Sequence, residues 1–302
     1  MSSGIIAAVC FSEKALAQLN PLRTSYYSNE YFINPAAAGS GTGLQLFGAI
    51  SKQFTNIPGS PRIQAFSADY GFSNRVGTGL LVINETAGLF QQMKIAGTYA
   101  YHLPLGNDNQ HVDFGLSVSI MKERIDFDQL EGDRGDLDLV DLNQRPVFVD
   151  FDYGMTYRNN SFRVQLAVPN IRRVLIEKNM RDFADYTLLF AAASYRFNTG
   201  MGAVEPKVAY RNVRNYKDLL DLGLGFQFRN LTSNQLSLYG IYHNTKCATV
   251  GFELSFNSDL SFTGLYTTSP ADFGYHSKGS FELGVGARLA SRLGNRQSGT
   301  DQ

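Results

Sequence analysis

Strand-length segments in which apolar and polar residues alternate follow one another along most of this 302-residue chain. Between residues 112 and 120, for example, Phe114, Leu116 and Val118 alternate with Asp113 and with small residues. Alternation with period two predicts β-strands that have one apolar and one polar face. About fourteen such segments are present, at 43–52, 62–72, 76–83, 92–102, 111–122, 147–157, 162–168, 186–197, 203–210, 218–229, 235–243, 248–256, 260–267 and 280–289.

A soluble β-sandwich would also alternate, so the pattern alone does not identify what covers the apolar face. Three features favour a bilayer. Each segment is about ten residues long, which is the length of a tilted membrane-spanning strand. The polar faces are rich in glycine and in charges of both signs, and aromatic residues such as Tyr99 and Tyr101 cluster near segment ends. We therefore predict an all-β fold, an antiparallel transmembrane β-barrel of about fourteen strands over residues 42–289.

Composition excludes several other classes of protein. The chain has 27 Lys and Arg against 27 Asp and Glu, so no overall field attracts nucleic acid, and we expect no nucleic-acid partner. No run of about 18 apolar residues predicts a transmembrane helix. The two cysteines are Cys10 and Cys247, and Cys10 lies in an apolar N-terminal run, so the mature chain is expected to have no internal disulfide.

The N-terminus resembles an export signal. An apolar run at 4–11 precedes Ala15-Leu16-Ala17, a small-x-small cleavage site, so we predict a signal peptide at 1–17. The basic start of such a signal is missing, and an amphipathic helix is the alternative. Residues 18–41 are then an N-terminal periplasmic or hatch segment, and residues 290–302 are a polar C-terminal tail.

The segment 31–41 combines a helix breaker with a run of small residues. Proline disfavours the helical conformation of the residue before it, so Asn34-Pro35 excludes a continuing helix. The small residues after it allow backbone to pack closely against a wide surface. We interpret the segment as the place where the exported tail enters or plugs the barrel, and an ordinary loop is the alternative. The residues selected are Tyr31, Asn34, Pro35, Ala36 and Gly39.

The connections between segments predict an orientation. If the N-terminus is periplasmic, the even-numbered connections lie inside and are mostly short, as at 73–75, 158–161, 198–202 and 257–259. The longest, at 125–146, 169–185 and 268–279, all lie outside, which is the rule for outer-membrane barrels.

The polar faces predict a charged lumen. Its members are expected to be Asp113, Asp150, Asp152, Arg163, Asp221, Glu253, Glu282 and Arg288. Charges of both signs in a narrow barrel favour a hydrogen-bonded, mostly closed interior, which is a hypothesis that a porin-like conductance would contradict.

The connection at 125–146 is unusually rich in acidic residues. It contains Asp133, Asp136, Asp138 and Asp141, whose carboxylates could bind calcium, but the spacing is not that of an EF-hand. A solvated acidic loop that meets a partner is the alternative. The basic connection 169–185 is interpreted as a plain basic loop, and a surface that meets the acidic loop, lipid headgroups or a secreted partner is the alternative. The four histidines lie near segment ends without metal-ligand spacing and are interpreted as rim residues.

The chain resembles the PorP/SprF family of type IX secretion system outer-membrane proteins. The resemblance covers nearly all of the mature chain. Its motifs are YFINPAAAG at 31–39, SADY at 67–70, GTGL at 77–80, TYAYHL at 98–103, FDYGM at 151–155 and LAVPNI at 166–171. The asparagine–proline–alanine piece is also similar to one in the N-terminal hatch of FadL-like transporters, a more distant likeness that implies a plugged fourteen-stranded barrel.

The resemblance implies an outer-membrane protein of a Gram-negative bacterium of the Bacteroidota type. It implies a role in protein secretion or gliding motility, with contacts to outer-membrane lipid, to periplasmic ring components and to a secreted adhesin or its C-terminal signal domain. No catalytic constellation or cofactor motif stands out, so we expect a non-enzymatic scaffold without a cofactor. A FadL-like transporter of hydrophobic small molecules is the alternative, and an outer-membrane enzyme is the third hypothesis.

Overall fold

The computed structural model describes residues 24–55, 58–73, 75–106, 110–126, 147–175, 187–214, 217–229, 234–257, 259–269 and 278–289. Three predictions lie outside these residues: the signal peptide, the acidic loop that contains Asp133, Asp136, Asp138 and Asp141, and the C-terminal tail 290–302.

The described chain is built almost entirely from antiparallel strands. They are β1 (Gly43–Lys52), β2 (Arg62–Gly71), β3 (Val76–Ala87), β4 (Phe90–Pro104), β5 (His111–Ile125), β6 (Phe148–Arg158), β7 (Phe162–Val168), β8 (Thr187–Tyr195), β9 (Phe197–Thr199), β10 (Gly202–Val213), β11 (Leu219–Phe228), β12 (Gln235–His243), β13 (Cys247–Phe256), β14 (Leu260–Thr267) and β15 (Ser280–Leu289). All fourteen predicted segments are therefore strands.

Neighbouring strands pair in chain order, and β15 pairs with β1, which closes the sheet into a barrel. Fourteen strands form the wall, and the short β9 pairs only with β10. The prediction of one continuous strand at 186–197 is corrected here, because the chain is interrupted at Arg196 between β8 and β9. Both strands pair with β10 in the same register, and Pro206 of β10, which has no N–H to donate, lies opposite the interruption.

The burial pattern identifies which face meets the bilayer. In β5, Leu116, Val118 and Ile120 are each about half exposed, whereas Ser117 and Ser119 between them are buried. A soluble sandwich would bury the apolar residues instead. The apolar face therefore lies on the outside of the barrel, where lipid covers it, and the polar face lines the lumen.

The connections distinguish the two ends of the barrel. The end called here the short-turn end carries the β2–β3, β6–β7 and β13–β14 turns, which are four, three and three residues long. The other end, called the long-loop end, carries the long β5–β6, β7–β8 and β14–β15 connections. The β3–β4 turn is also at the long-loop end and is tight, with Gly88 at a φ of 56°.

Helical structure in the described residues is short. A five-residue helix, α1 (Ile171–Leu175), follows β7, although no helix is predicted from the sequence. Three 3-10 helices of three residues each precede β1, at Ser25–Tyr27, Glu30–Phe32 and Pro35–Ala37. None of the helices in the described residues has the length and apolar character needed to cross a membrane.

Candidate functional site

Residues 24–41, called the plug here, lie inside the barrel and carry the three 3-10 helices. Asn29 and Asn34 begin the second and third helices, and their side chains accept hydrogen bonds from the Tyr31 and Ala36 backbone N–H groups at 3.0 Å each. Pro35 occupies the first position of its helix, where its missing N–H has no consequence. The asparagines therefore fix a compact, turning backbone that fits within the lumen.

The barrel wall presents glycines where it meets Asn34, Pro35 and Ala36 of the plug. Gly115 of β5 and Gly154 of β6 are opposite each other in the register of the two strands. A Cβ added at either glycine would collide with the plug at Asn34, Pro35 or Ala36. The Asn34 amide also donates to the Thr156 hydroxyl at 2.9 Å. This pair of glycines thus allows the closest approach of the plug to the wall.

A second pair of glycines meets the end of the plug. Gly71 of β2 and Gly77 of β3 are also opposite each other, and Gly39 packs on them. Gly39 has a φ of 65°, a conformation that favours glycine, and its N–H donates to Asp69 Oδ2 at 2.9 Å. Nearby, the Tyr31 hydroxyl donates to Thr98 Oγ1 at 2.7 Å. The family motif residues thus contact β2 to β6.

A histidine–aspartate pair holds the plug near the short-turn end. His102 Nδ1 lies 2.8 Å from Asp113 Oδ1, and Arg158 Nε donates to Asp113 Oδ2 at 2.6 Å. His102 Nε2 lies 3.2 Å from the Ala38 carbonyl oxygen. The two ring nitrogens of His102 therefore lie against an oxygen of the wall and an oxygen of the plug.

A second histidine–aspartate pair holds the start of the plug near the long-loop end. Asp221 accepts from the Tyr26 hydroxyl at 2.6 Å and from Arg211 Nη2 at 2.8 Å, and His243 Nδ1 lies 2.6 Å from its other oxygen. His243 Nε2 in turn lies 2.7 Å from Thr249 Oγ1. All of these side chains are buried. The plug therefore joins a hydrogen-bonded network of the wall through Tyr26.

Glu282 of the last strand binds the first described residues. The hydroxyl of Ser25 donates to Glu282 Oε2 at 2.6 Å, and that of Thr24 donates to Oε1. Thr24 and Ser25 are buried. The plug thus runs from the long-loop end, at Thr24, to the short-turn end, where β1 begins.

Glu30 lies at the middle of the plug between two cations of the wall. Its carboxylate accepts from Arg163 Nη1 at 2.9 Å and from Lys207 Nζ at 3.3 Å. Although burial alone would raise the pKa of Glu30, the charges of Lys207 and Arg163 hold that pKa below its usual value. Lys207 Nζ also lies 4.8 Å from the centroid of the Tyr27 ring, a cation–π distance.

Asp150 and Asp152 hold the chain that follows β7 rather than the plug. Asp152 accepts from Lys94 Nζ and from the Asn170 N–H, both at 2.8 Å. Asp150 accepts from the Arg172 N–H at 2.8 Å. Their carboxylates therefore fold the start of α1 inward over the lumen at the long-loop end.

The remaining predicted lumen residues face the lumen without touching the plug. Glu253 accepts from the Tyr239 hydroxyl at 3.2 Å. Arg288 is exposed at the short-turn end, and its guanidinium lies 3.4 Å from the Gln45 side-chain oxygen. A cavity of about 280 Å³ lies beside both residues, and a second of about 140 Å³ lies beside Glu30 and Lys207.

Several site residues were not predicted from the sequence. His102 and His243 were interpreted as rim residues, but both are buried and paired with lumenal aspartates. Tyr26, Glu30 and Lys207 were not selected at all. Alternation places Lys207 on the polar face of its strand, but no local signal identifies its partner Glu30, which is 177 positions away. No cluster of three metal-ligating side chains occurs within the described residues.

A family model for the type IX secretion system membrane protein PorP/SprF matches residues 15–287. The chain belongs to the PorP/SprF family. As a PorP/SprF protein with this fold, it is an outer-membrane β-barrel of the type IX secretion system. The plug motif and the wall residues that it contacts all lie within the matched range. No curated protein matches the chain significantly.

Solved structures show the same architecture as this PorP/SprF barrel. The Ralstonia pickettii toluene transporter TbuX is 10% identical, covers 91% of this chain and 99% of its own, and has a TM-score of 0.52. The CymD monoaromatic hydrocarbon channel is 12% identical, covers the same shares of the two chains, and has a TM-score of 0.51. At this identity the likeness is one of fold, and it agrees with the fold implied by the FadL-like resemblance.

Proposed function

We propose that this PorP/SprF protein is a non-enzymatic scaffold that supports secretion, surface attachment of adhesins or gliding motility through protein–protein contacts. Its partners are periplasmic ring components and a secreted adhesin or its C-terminal signal domain, and the short-turn end faces the periplasm. The observation that supports this proposal most is the plug, which is bonded to the wall from Thr24 to Gly39. A plug that runs from one end of the lumen to the other leaves the two ends of the barrel as the functional surfaces.

A buried series of hydrogen-bonded side chains in the wall supports a structural role. Thr249, His243 and Asp221 follow the order of a nucleophile, base and acid relay. All three side chains are buried, and the hydroxyl of Tyr26 in the plug donates a hydrogen bond to Asp221. Thr249 also shares a hydrogen bond with Thr267 Oγ1 at 2.7 Å. No substrate reaches this hydroxyl while the plug is in place, so the chain stabilises the closed lumen.

The alternative, transport of hydrophobic small molecules, would need an apolar pocket in the lumen. The two lumenal cavities described above have charged linings instead. Glu30, Arg163, Arg196, Glu205 and Lys207 line the smaller one. Burying apolar solutes against such groups is unfavourable, since it would remove water from the charges without replacing its hydrogen bonds.

Purification from the native outer membrane tests the proposal. The protein is cross-linked in cells, isolated through an affinity tag, and examined by mass spectrometry for bound proteins and lipids. Recovery of secretion-system proteins or adhesins supports the scaffold. Bound lipid or hydrocarbon without a protein partner would overturn it in favour of transport.

Two variants sharpen this experiment. Asn34→Ala removes the cap and the wall contact of the plug, and a combined Asp133→Asn, Asp136→Asn, Asp138→Asn and Asp141→Asn variant neutralises the acidic connection. Asn84→Ala, on the lipid-facing side of β3, is the matched control. Each functional variant should lose partners that the control retains.

A further inference from the structure

Six arginines, called the arginine rim here, surround the mouth of the barrel at the short-turn end. Each lies at or within two residues of a strand end: Arg75, Arg158, Arg163, Arg196, Arg229 and Arg288. Among the described residues of the turns at this end, Asp259 is the one acidic residue. The rim spreads from β3 around to β15, so it places positive charge around the whole opening rather than on one side.

The arginines face the barrel axis and not the bilayer. Phe162, Tyr195 and Phe228 lie beside rim arginines in the chain and are exposed on the lipid-facing side. Successive residues of a strand point to opposite faces, so the adjacent arginines point inward. Their contacts agree, since Arg158 binds Asp113 and Arg163 binds Glu30 within the lumen. Lipid phosphates therefore lie on the outer side of the barrel wall, whereas the rim side chains lie on the lumenal side.

Two of the six rim arginines, Arg158 and Arg163, form ion pairs with carboxylates inside the barrel. Arg158 and Arg163 are directly opposite each other on β6 and β7, an arrangement that is unfavourable without countercharges. Asp113 and Glu30 supply these, yet the two arginine side chains remain 28% and 43% exposed. Arg196 bonds to the neutral Gln227. Arg288 bonds to the neutral Gln45 and shares a cavity with the carboxylates of Asp69, Glu253 and Asp259.

Arg75 and Arg229 are exposed at the mouth. Their hydrogen bonds within the described residues are made by the backbone, so both guanidinium groups are available. Guanidinium groups bind carboxylates through two parallel hydrogen bonds, which favours arginine over lysine for this purpose. Below them, the cavity of about 140 Å³ is lined by Arg163, Arg196 and Lys207 together with two carboxylates, and it opens beside the plug.

We propose that the arginine rim is a docking surface for an acidic segment of a periplasmic protein, which enters the mouth along the barrel axis. This inference rests on the proposed function, because it takes the short-turn end to face the periplasm. The rim side chains give the segment its orientation, and the plug sets how deeply it enters. Binding of this kind is electrostatic, so it weakens as salt concentration rises.

The probe is a short fluorescent glutamate-rich peptide, titrated into the full-length protein in a non-ionic detergent. The combined Arg75→Ser and Arg229→Ser variant should bind it about tenfold more weakly at low salt, with a shallower salt dependence. The combined Lys52→Ser and Lys246→Ser variant removes two cations from the long-loop end and should bind like the parent protein. Equal binding by the two variants, or no binding by the parent, would overturn the proposal.

A second arm separates an acidic protein segment from lipid headgroups. The parent and rim variant are placed in nanodiscs of neutral or anionic phospholipid, and thermal stability is compared. A rim-dependent preference for anionic lipid, with unchanged peptide binding, would assign the rim to lipid and overturn the proposal. In the native pull-down, a rim variant that keeps all secretion-system partners overturns the docking proposal alone. A parent protein that recovers no secretion-system partner would overturn the scaffold function instead.

Discussion

Gly115 and Gly154 lie opposite each other on β5 and β6, and the backbone of Pro35 and Ala36 rests on the space that their missing side chains leave. The wall of the barrel is therefore shaped for the plug at this point. At Gly115 the nearest plug atoms are backbone atoms of Pro35 and Ala36, so a rotamer change could not relieve a collision there.

Gly154→Ala should destabilise the docked plug. The new Cβ meets Asn34 Oδ1 and Pro35 Cδ, so we expect a loss of about 1–3 kcal/mol in the free energy of unfolding. The temperature at which the protein loses its folded mobility on detergent gels measures this loss of stability. Gly97→Ala is the matched control, because a Cβ on this lipid-facing glycine meets no atom within 4 Å. Equal melting temperatures for the two variants would contradict the close fit.

Asn34→Ala should loosen the same contact without any collision. The change removes the acceptor for the Ala36 N–H and the donor to Thr156, at a cost of about 1–2 kcal/mol. Asn34→Ser keeps an uncharged capping oxygen and loses the amide that donates to Thr156, so its melting temperature should fall between those of the parent and Asn34→Ala. A melting temperature for Asn34→Ser at or below that of Asn34→Ala would show that the cap contributes little.

Asp221→Asn should be more damaging than Tyr26→Phe. The first leaves Arg211 buried without its carboxylate, which costs about 3–5 kcal/mol, whereas the second removes one hydrogen bond to a charged group, about 1.5–3 kcal/mol. Cys247, a buried thiol outside any disulfide, is opposite His243 in the register and reports opening at this site. Its labelling rate with maleimide should rise in the order parent, Tyr26→Phe, Asp221→Asn. The reverse order would rule out the network as the anchor of the plug.

Acidification should weaken the plug through Glu30. A carboxylate whose pKa is lowered on folding stabilises the folded state above its unfolded pKa, and this contribution is lost as pH falls through the lowered value. The melting temperature of the parent should therefore decline below pH 4.5, the usual glutamate value. Glu30→Gln should start lower at neutral pH and lose less over that window. Parallel curves would mean that other carboxylates account for the decline.

Much of the barrel was predictable because lipid contact requires strict alternation. The predicted strand 43–52 and the observed β1 have the same bounds, and so do 235–243 and β12. Strands that extend past the bilayer follow no such rule, so β4 and β5 each run to 15 residues, longer than predicted. The split at Arg196 lies opposite Pro206 of the neighbouring strand β10, and the alternation within residues 186–197 does not encode that partner.

The site was predictable only where local sequence restricts the backbone. The break at Pro35 and the small residues after it indicated close packing. The partners of Tyr26 and Glu30 lie 133 to 195 positions away, at Asp221, Arg163 and Lys207. Such pairs depend on barrel closure, so neither alternation nor motif spacing predicts them.

The bond from Thr24 to Glu282 joins the first described residue to the final strand. Since β15 also seals the sheet against β1, a strand that is synthesised after the other fourteen completes both the barrel and the binding site of the plug. Contacts of such long sequence separation form late and slowly. Premature release into the bilayer would therefore yield an unsealed sheet with an undocked plug, so biogenesis has to hold the plug and β15 until they meet.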